Sequence, residues 1–93
     1  MRNYEVVLIL HPDLDETATT GIIEKVKGWI TEGTGTVDRT DIWGRRRMAY
    51  SIKKQREGQY VYMEAAMPPA NSNELERNLR LNESILRFMI TAR

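Results

Sequence analysis

The chain has no cysteine. That excludes a disulfide framework, a thiol nucleophile and any zinc site built on thiolates, and it fits a reducing cytoplasm. There is one histidine, His11, placed just before Pro12. With no second imidazole and no thiol to activate, it reads as a turn residue. No apolar run approaches the ~18 residues that a membrane span requires. The opening Met1-Arg2-Asn3-Tyr4-Glu5 turns polar and acidic within five residues, which is unlike a secretory signal. No glycine-rich phosphate loop follows a strand, and there is no serine-centred elbow. Asp13, Asp15 and Glu16 crowd together, but no further oxygen ligands for a metal lie near them in the sequence. An enzyme, a bound metal, a cofactor, a small-molecule substrate and a membrane partner are therefore not expected.

The 93 residues suffice for a single domain, residues 1–93. Such a chain buries only ~60–65% of the surface it exposes when unfolded. The net charge of +1 conceals an uneven distribution. Residues 1–38 hold three basic and seven acidic side chains, and residues 57–93 hold four and five. Between them, residues 39–56 carry Arg39, Arg45, Arg46, Arg47, Lys53, Lys54 and Arg56 against Asp41 alone. An isolated basic block on a mildly acidic body is a footprint for a polyanion. The plainer reading is a solvated hairpin whose cations also blunt a sheet edge.

Residues 3–10 are apolar and β-branched and stop at His11-Pro12, which predicts a strand. Asp15 suits a helix N-cap, and Ile22, Ile23, Val26, Trp29 and Ile30 then recur at helical spacing. Gly33 suits a left-handed C-cap. Residues 36–52 read as one long strand, with Ile42, Met48, Tyr50 and Ile52 on one parity. Val37 breaks that parity and predicts a bulge, placed near Gly44. Lys53 to Gly58 reads as a charged loop. Residues 59–67 form a third strand, with Val61, Met63, Ala65 and Met67 on one face and Tyr60, Tyr62, Glu64 and Ala66 on the other. Asn71 or Asn73 starts a second helix, Asn71 and Glu74 having the spacing of a capping box. Asn82 stops it. The last strand spans 84–92, with Leu86, Phe88 and Ile90 on one face and Ile85, Arg87 and Met89 on the other.

This order is that of an α+β, ferredoxin-like β-α-β-β-α-β sandwich, a four-stranded antiparallel sheet with two helices on one face. The predicted core comprises Val6, Leu8, Leu10, Ile22, Val26, Ile30, Val61, Met63, Leu75, Leu79, Phe88 and Ile90. Nothing in the chain remains to cover the other face of the sheet. Acylphosphatases share the architecture but carry an arginine-bearing phosphate loop after the first strand. Here that loop, His11 to Asp15, is acidic. RNA-recognition motifs share it too and stack bases on central-strand aromatics. Tyr60 and Tyr62 echo that pattern, whereas the open face of the first strand, Asn3, Glu5, Val7 and Ile9, has no aromatic.

Three segments carry a closer resemblance. Gly44-Arg45-Arg46-Arg47-Met48-Ala49-Tyr50-Ser51-Ile52-Lys53 resembles the signature segment of the bacterial small-subunit ribosomal protein number six family. Met1 to Glu5 is similar to that family's start, and Arg80 to Arg87 resembles its helix-to-last-strand junction. Met48 stands where leucine is usual, and Ser51 where proline is common. The chain ends at Arg93 without the acidic tail some members carry, so tail modification is not expected.

The resemblance implies a structural protein of the small ribosomal subunit, cytoplasmic and ribosome-bound in a bacterium or an organelle. It implies binding to the central domain of small-subunit rRNA together with small-subunit ribosomal protein eighteen. It places rRNA contact on Arg2, Tyr4, Arg45, Arg46, Arg47, Tyr50 and Arg87, although parity points Tyr50 towards the helices. Lys53, Lys54 and Arg56 extend the basic block, and Arg80 serves either RNA or its own helix dipole. Val7, Ile9, Tyr60, Tyr62 and Met89 are expected to form an apolar patch for the protein partner. The competing expectation is a free-standing single-stranded RNA binder that stacks bases on the same aromatic face.

Overall fold

The computed structural model describes residues 1–93. Its elements are β1 (Arg2–Leu10), α1 (Glu16–Glu32), β2 (Thr36–Ile52), β3 (Gln55–Met67), α2 (Pro69–Leu81) and β4 (Ile85–Ala92). The strands form one antiparallel sheet in the order β2-β3-β1-β4, the arrangement expected from the sequence.

Alternation along the two central strands builds the core. Val6 lies opposite Met63 and Leu8 opposite Val61, and all four are fully buried. Ile23, Val26 and Ile30 of α1 and Leu75 and Leu79 of α2 pack onto them. Ile22, Phe88 and Ile90, expected in the core, are only partly buried at its margin. In the first helix it is Ile23 that points fully inwards.

The helix ends differ in part from expectation. Asp15 caps α1, its carboxylate accepting from the Ala18 amide at 2.7 Å. At the other end Gly33 has φ −87° and is not left-handed, while Thr34 takes the positive φ of 66°. Gly33 serves a close approach instead, because a Cβ there would collide with the Asn71 side chain. Asn71 Nδ2 donates to the Ile30 carbonyl at 3.3 Å, so it helps satisfy the end of α1 and does not start α2. Helix α2 opens on Pro69 with no side-chain cap. Proline suits a first turn, where its missing N–H has no partner to lose.

The expected loop from Lys53 to Gly58 is mostly strand. β2 and β3 are joined by Lys53 and Lys54 alone, both left-handed at φ 51° and 67°. A two-residue hairpin turn with two positive φ values matches the twist of its strands. The β2–β3 register shifts at Val37/Arg39, at Ile42/Gly44 and between Arg47 and Ile52. The second shift is the predicted bulge, with Gly44 at φ 83°. The third places Met48 to Ser51 opposite Arg56 alone.

Together these shifts turn the outer end of the hairpin over the face that lacks helices. Met48 packs there against Ile9 of β1 and Leu86 of β4 in a second, small core, flanked by Ile52 and Tyr60. A register slip between Ile9 and Leu10 places Leu86 on this side and Ile85 in the main core. That reverses the alternation expected at the start of β4.

Candidate nucleic-acid interface

The hairpin arm presents most of the basic block. Lys53 and Lys54 form its tip, and Arg47 and Arg56 flank the wide bulge with Tyr50 around a hollow of about 250 Å³. Arg46 lies over the Trp43 ring, its guanidinium 5.5 Å from the centroid. Arg45 faces the other way and donates to the Pro12 carbonyl, which ties the arm to the β1–α1 loop. Gln59 reaches the same loop, its Nε2 donating to the carbonyls of His11 at 3.2 Å and Leu14 at 2.9 Å.

Tyr50 is exposed and does not point towards the helices as parity suggested. The wide bulge frees it from the alternation, and its hydroxyl accepts from Arg87 of β4, 37 residues away in sequence. Arg80, in the last turn of α2, pairs with Glu76 at 2.6 Å and lies over the Phe88 ring at 6.0 Å. Arg2 is exposed at the start of β1. Tyr4 belongs to the main core and is 6% exposed. The even positions of β1 face the helices, so its ring is not a platform for a base.

The open face divides into two halves. In one, Val7, Ile9, Tyr60 and Met89 line an apolar groove of about 210 Å³ beside Arg87. In the other, Tyr62 is held among charges. Its hydroxyl lies 2.7 Å from Glu5 Oε2 and 2.9 Å from Glu64 Oε2, and a phenol has one proton for the two. The Glu5 hydrogen bond, then desolvation and the Glu64 bond, hold the Tyr62 hydroxyl above its ordinary ionisation range. Glu64 also meets Arg93 at 3.0 Å and Arg39 at 3.8 Å. The 2.8 Å pair with Asp41 raises the Arg39 guanidinium further.

Sequence reasoning passed over Trp43. It follows Asp41, the partner of Tyr62, by two residues and so lies on the open face, where it stacks on Tyr62 with centroids 5.5 Å apart and planes 5° from parallel. Four of the five expected patch residues thus line the apolar groove together with Phe88, and Tyr62 lies in a separate polar and aromatic row.

Comparison with known proteins agrees with this architecture. The family model described as Ribosomal protein S6 matches residues 3–92. A small ribosomal subunit protein bS6 from Moorella thermoacetica is 48% identical over 91 residues, covering 98% of this chain and 93% of that protein. A protein of the same name from Nocardia farcinica is 49% identical over 90 residues, covering 97% and 95%. The crystal structure of 30S ribosomal protein S6 from Thermotoga maritima superposes with a TM-score of 0.94 at 33% identity, covering 99% of this chain and 87% of that one. A chemotaxis kinase CheA P2 domain with a TM-score of 0.66 and 17% identity shares the fold alone.

Proposed function

The chain belongs to the ribosomal protein S6 family, a structural and not a catalytic protein of the small ribosomal subunit, and on that premise we propose that it binds rRNA. Its place is the ribosome in the bacterial cytoplasm. Its RNA target is the central domain of small-subunit rRNA, and it binds there together with small-subunit protein eighteen.

The observation that carries this reading is the gathering of most of the basic block on one hairpin arm. Arg46, Arg47, Lys53, Lys54 and Arg56 stand on the arm, and Arg87 joins them through Tyr50. Arginine forks on a strand suit phosphate oxygens, and several such contacts position a protein without reading bases. Arg2 and Arg80 are accessible as further phosphate contacts. Arg45 acts first on the fold of the arm, and Tyr4 offers at most the edge of its ring. The apolar groove of Val7, Ile9, Tyr60 and Met89 takes the protein partner. The free-standing stacking reading has less support, because Tyr62 is pinned by two carboxylates and covered by Trp43.

The test is RNA binding to a central-domain rRNA fragment, with and without small-subunit protein eighteen. Weak binding alone and a large gain with the partner are expected. Tight binding alone, lost on Tyr60→Ala and unaffected by the partner, would support the free-standing RNA binder instead.

A further inference from the structure

Three cations distant in sequence meet at one groove. Lys53 at the hairpin tip, Arg80 at the end of α2 and Arg87 on β4 line a groove of about 350 Å³ whose floor is Leu79, Ile85, Leu86 and Phe88. Arg80 has Glu76 as an acidic partner, and Arg87 is held by the uncharged Tyr50 hydroxyl. Lys53 makes no ion pair. The rim therefore keeps an excess of positive charge around Phe88, the one floor residue that is not buried.

We infer that this groove holds one nucleotide of single-stranded or bulged RNA, its phosphate between Lys53, Arg80 and Arg87 and its base against Phe88. The inference rests on the rRNA-binding reading above and deepens it. Cations alone would suit any anion. The half-buried Phe88 ring beside them suits a nucleotide, whose base packs on an aromatic side chain while its phosphate stays at the rim.

The site is composite. Lys53 reaches the groove because the arm is folded back by Met48 against Ile9 and Leu86, and because Tyr50 meets Arg87. Tyr50 is then a positioning residue: it orients Arg87 and places the arm. Loss of its hydroxyl should weaken RNA binding although no charge is removed.

The experiment uses the full chain, the central-domain rRNA fragment and small-subunit protein eighteen, with affinity measured across a salt series. Lys53→Gln, Arg80→Gln and Arg87→Gln should each weaken binding about tenfold. Replacing all three together should flatten the salt slope by about 0.7, the single-strand value for the one phosphate they share. Tyr50→Phe should weaken binding with the salt slope kept nearly intact. In nuclear magnetic resonance titrations of the free chain, a uridine dinucleotide should shift the amides of Lys53, Arg80 and Phe88. Variants of the groove that bind like wild type, while Arg46→Gln and Arg47→Gln weaken binding, would overturn the groove and leave the RNA reading standing. Absence of RNA binding by the wild type would overturn both. An equal response to a hexaglutamate peptide would make the groove a site for acidic protein segments and would also overturn it.

Discussion

Gly58 of β3 lies so close to Ile9 of β1 that a Cβ added there would collide with Ile9 Cγ2 and come 3.3 Å from the Leu10 carbonyl oxygen. The absent side chain is what lets the hairpin coil over the open face and bring Met48 onto Ile9 and Leu86. Neither neighbour yields easily, since one is a branched side chain at its Cβ and the other is backbone. Gly58→Ala should therefore cost about 1–3 kcal/mol, the range for overpacking. Denaturant unfolding measures it, and a neutral substitution would mean that the arm is not tightly seated.

Leu79 is 1% exposed and packs in the main core. Leu79→Ala should cost about 2–5 kcal/mol, a large share of the stability of a small domain. A loss below about 0.5 kcal/mol would show that the α2 face is not packed on the sheet as described.

The Tyr62 hydroxyl should resist ionisation. Its hydrogen bond to Glu5, and the further proximity of Glu64, favour the neutral phenol. A native pKa raised above the unfolded value means that the folded chain holds a proton the unfolded chain gives up. The stabilisation is thus complete below the ordinary tyrosine pKa of about 10 and is lost as pH rises beyond it. Near-ultraviolet titration of the four tyrosines should show Tyr62 ionising last. Tyr62→Phe should remove the latest part of the curve, and removal of an early part would contradict this account.

Much of the fold is legible in the residues, and the exceptions share a cause. β2 spans Thr36–Ile52 as read, and the bulge falls beside Gly44 because a glycine inside a strand advertises one. Asp15 caps α1 because an N-cap is a local interaction. Lys53 and Lys54 do not advertise a left-handed turn as asparagine and glycine would, so the sequence there reads as a loop. Asn71 has the spacing of a cap for its own helix but serves α1, a choice made by tertiary packing. The candidate site suffered more. Each register shift rotates the following side chains, so Met48, Tyr50 and Leu86 land where strict alternation does not put them. The basic block itself was plain in the sequence, because charge needs no register.

The arginines of the arm should not be equivalent. Arg46→Ala and Arg47→Ala should each weaken RNA binding with little change in sequence preference. Each should lower the slope of log affinity against log salt by about 0.7–0.9. Their effect on stability should stay within about 0.5 kcal/mol. Arg45 is already engaged at the Pro12 carbonyl. Its alanine variant should cost about 1 kcal/mol of stability and change the salt slope less. Equal slopes for all three variants would mean that Arg45 leaves Pro12 to meet phosphate.

The apolar half of the open face should be the part that meets small-subunit protein eighteen. Met89 is 52% exposed and lies opposite Val7 in the sheet, at the side of the groove that Ile9 and Tyr60 complete. Methionine at such a surface buries area while adapting to the shape it meets, and its truncation removes contact without opening the core. Met89→Ala should therefore weaken partner binding by at least about 1 kcal/mol and leave unfolding unchanged. RNA binding by the pair should weaken with it, since two linked modest affinities act together. Tyr62→Ala should behave differently. It removes the donor between Glu5 and Glu64, which face each other on neighbouring strands, and strips Trp43 of its stacking partner. Part of its effect should appear as lost stability, because like charges directly opposite repel. Calorimetric titration of the partner into wild type and both variants, with thermal unfolding alongside, separates the two halves. Normal partner binding by Met89→Ala, together with a large loss for Tyr62→Ala at unchanged stability, would move the interface from the groove to the polar and aromatic row.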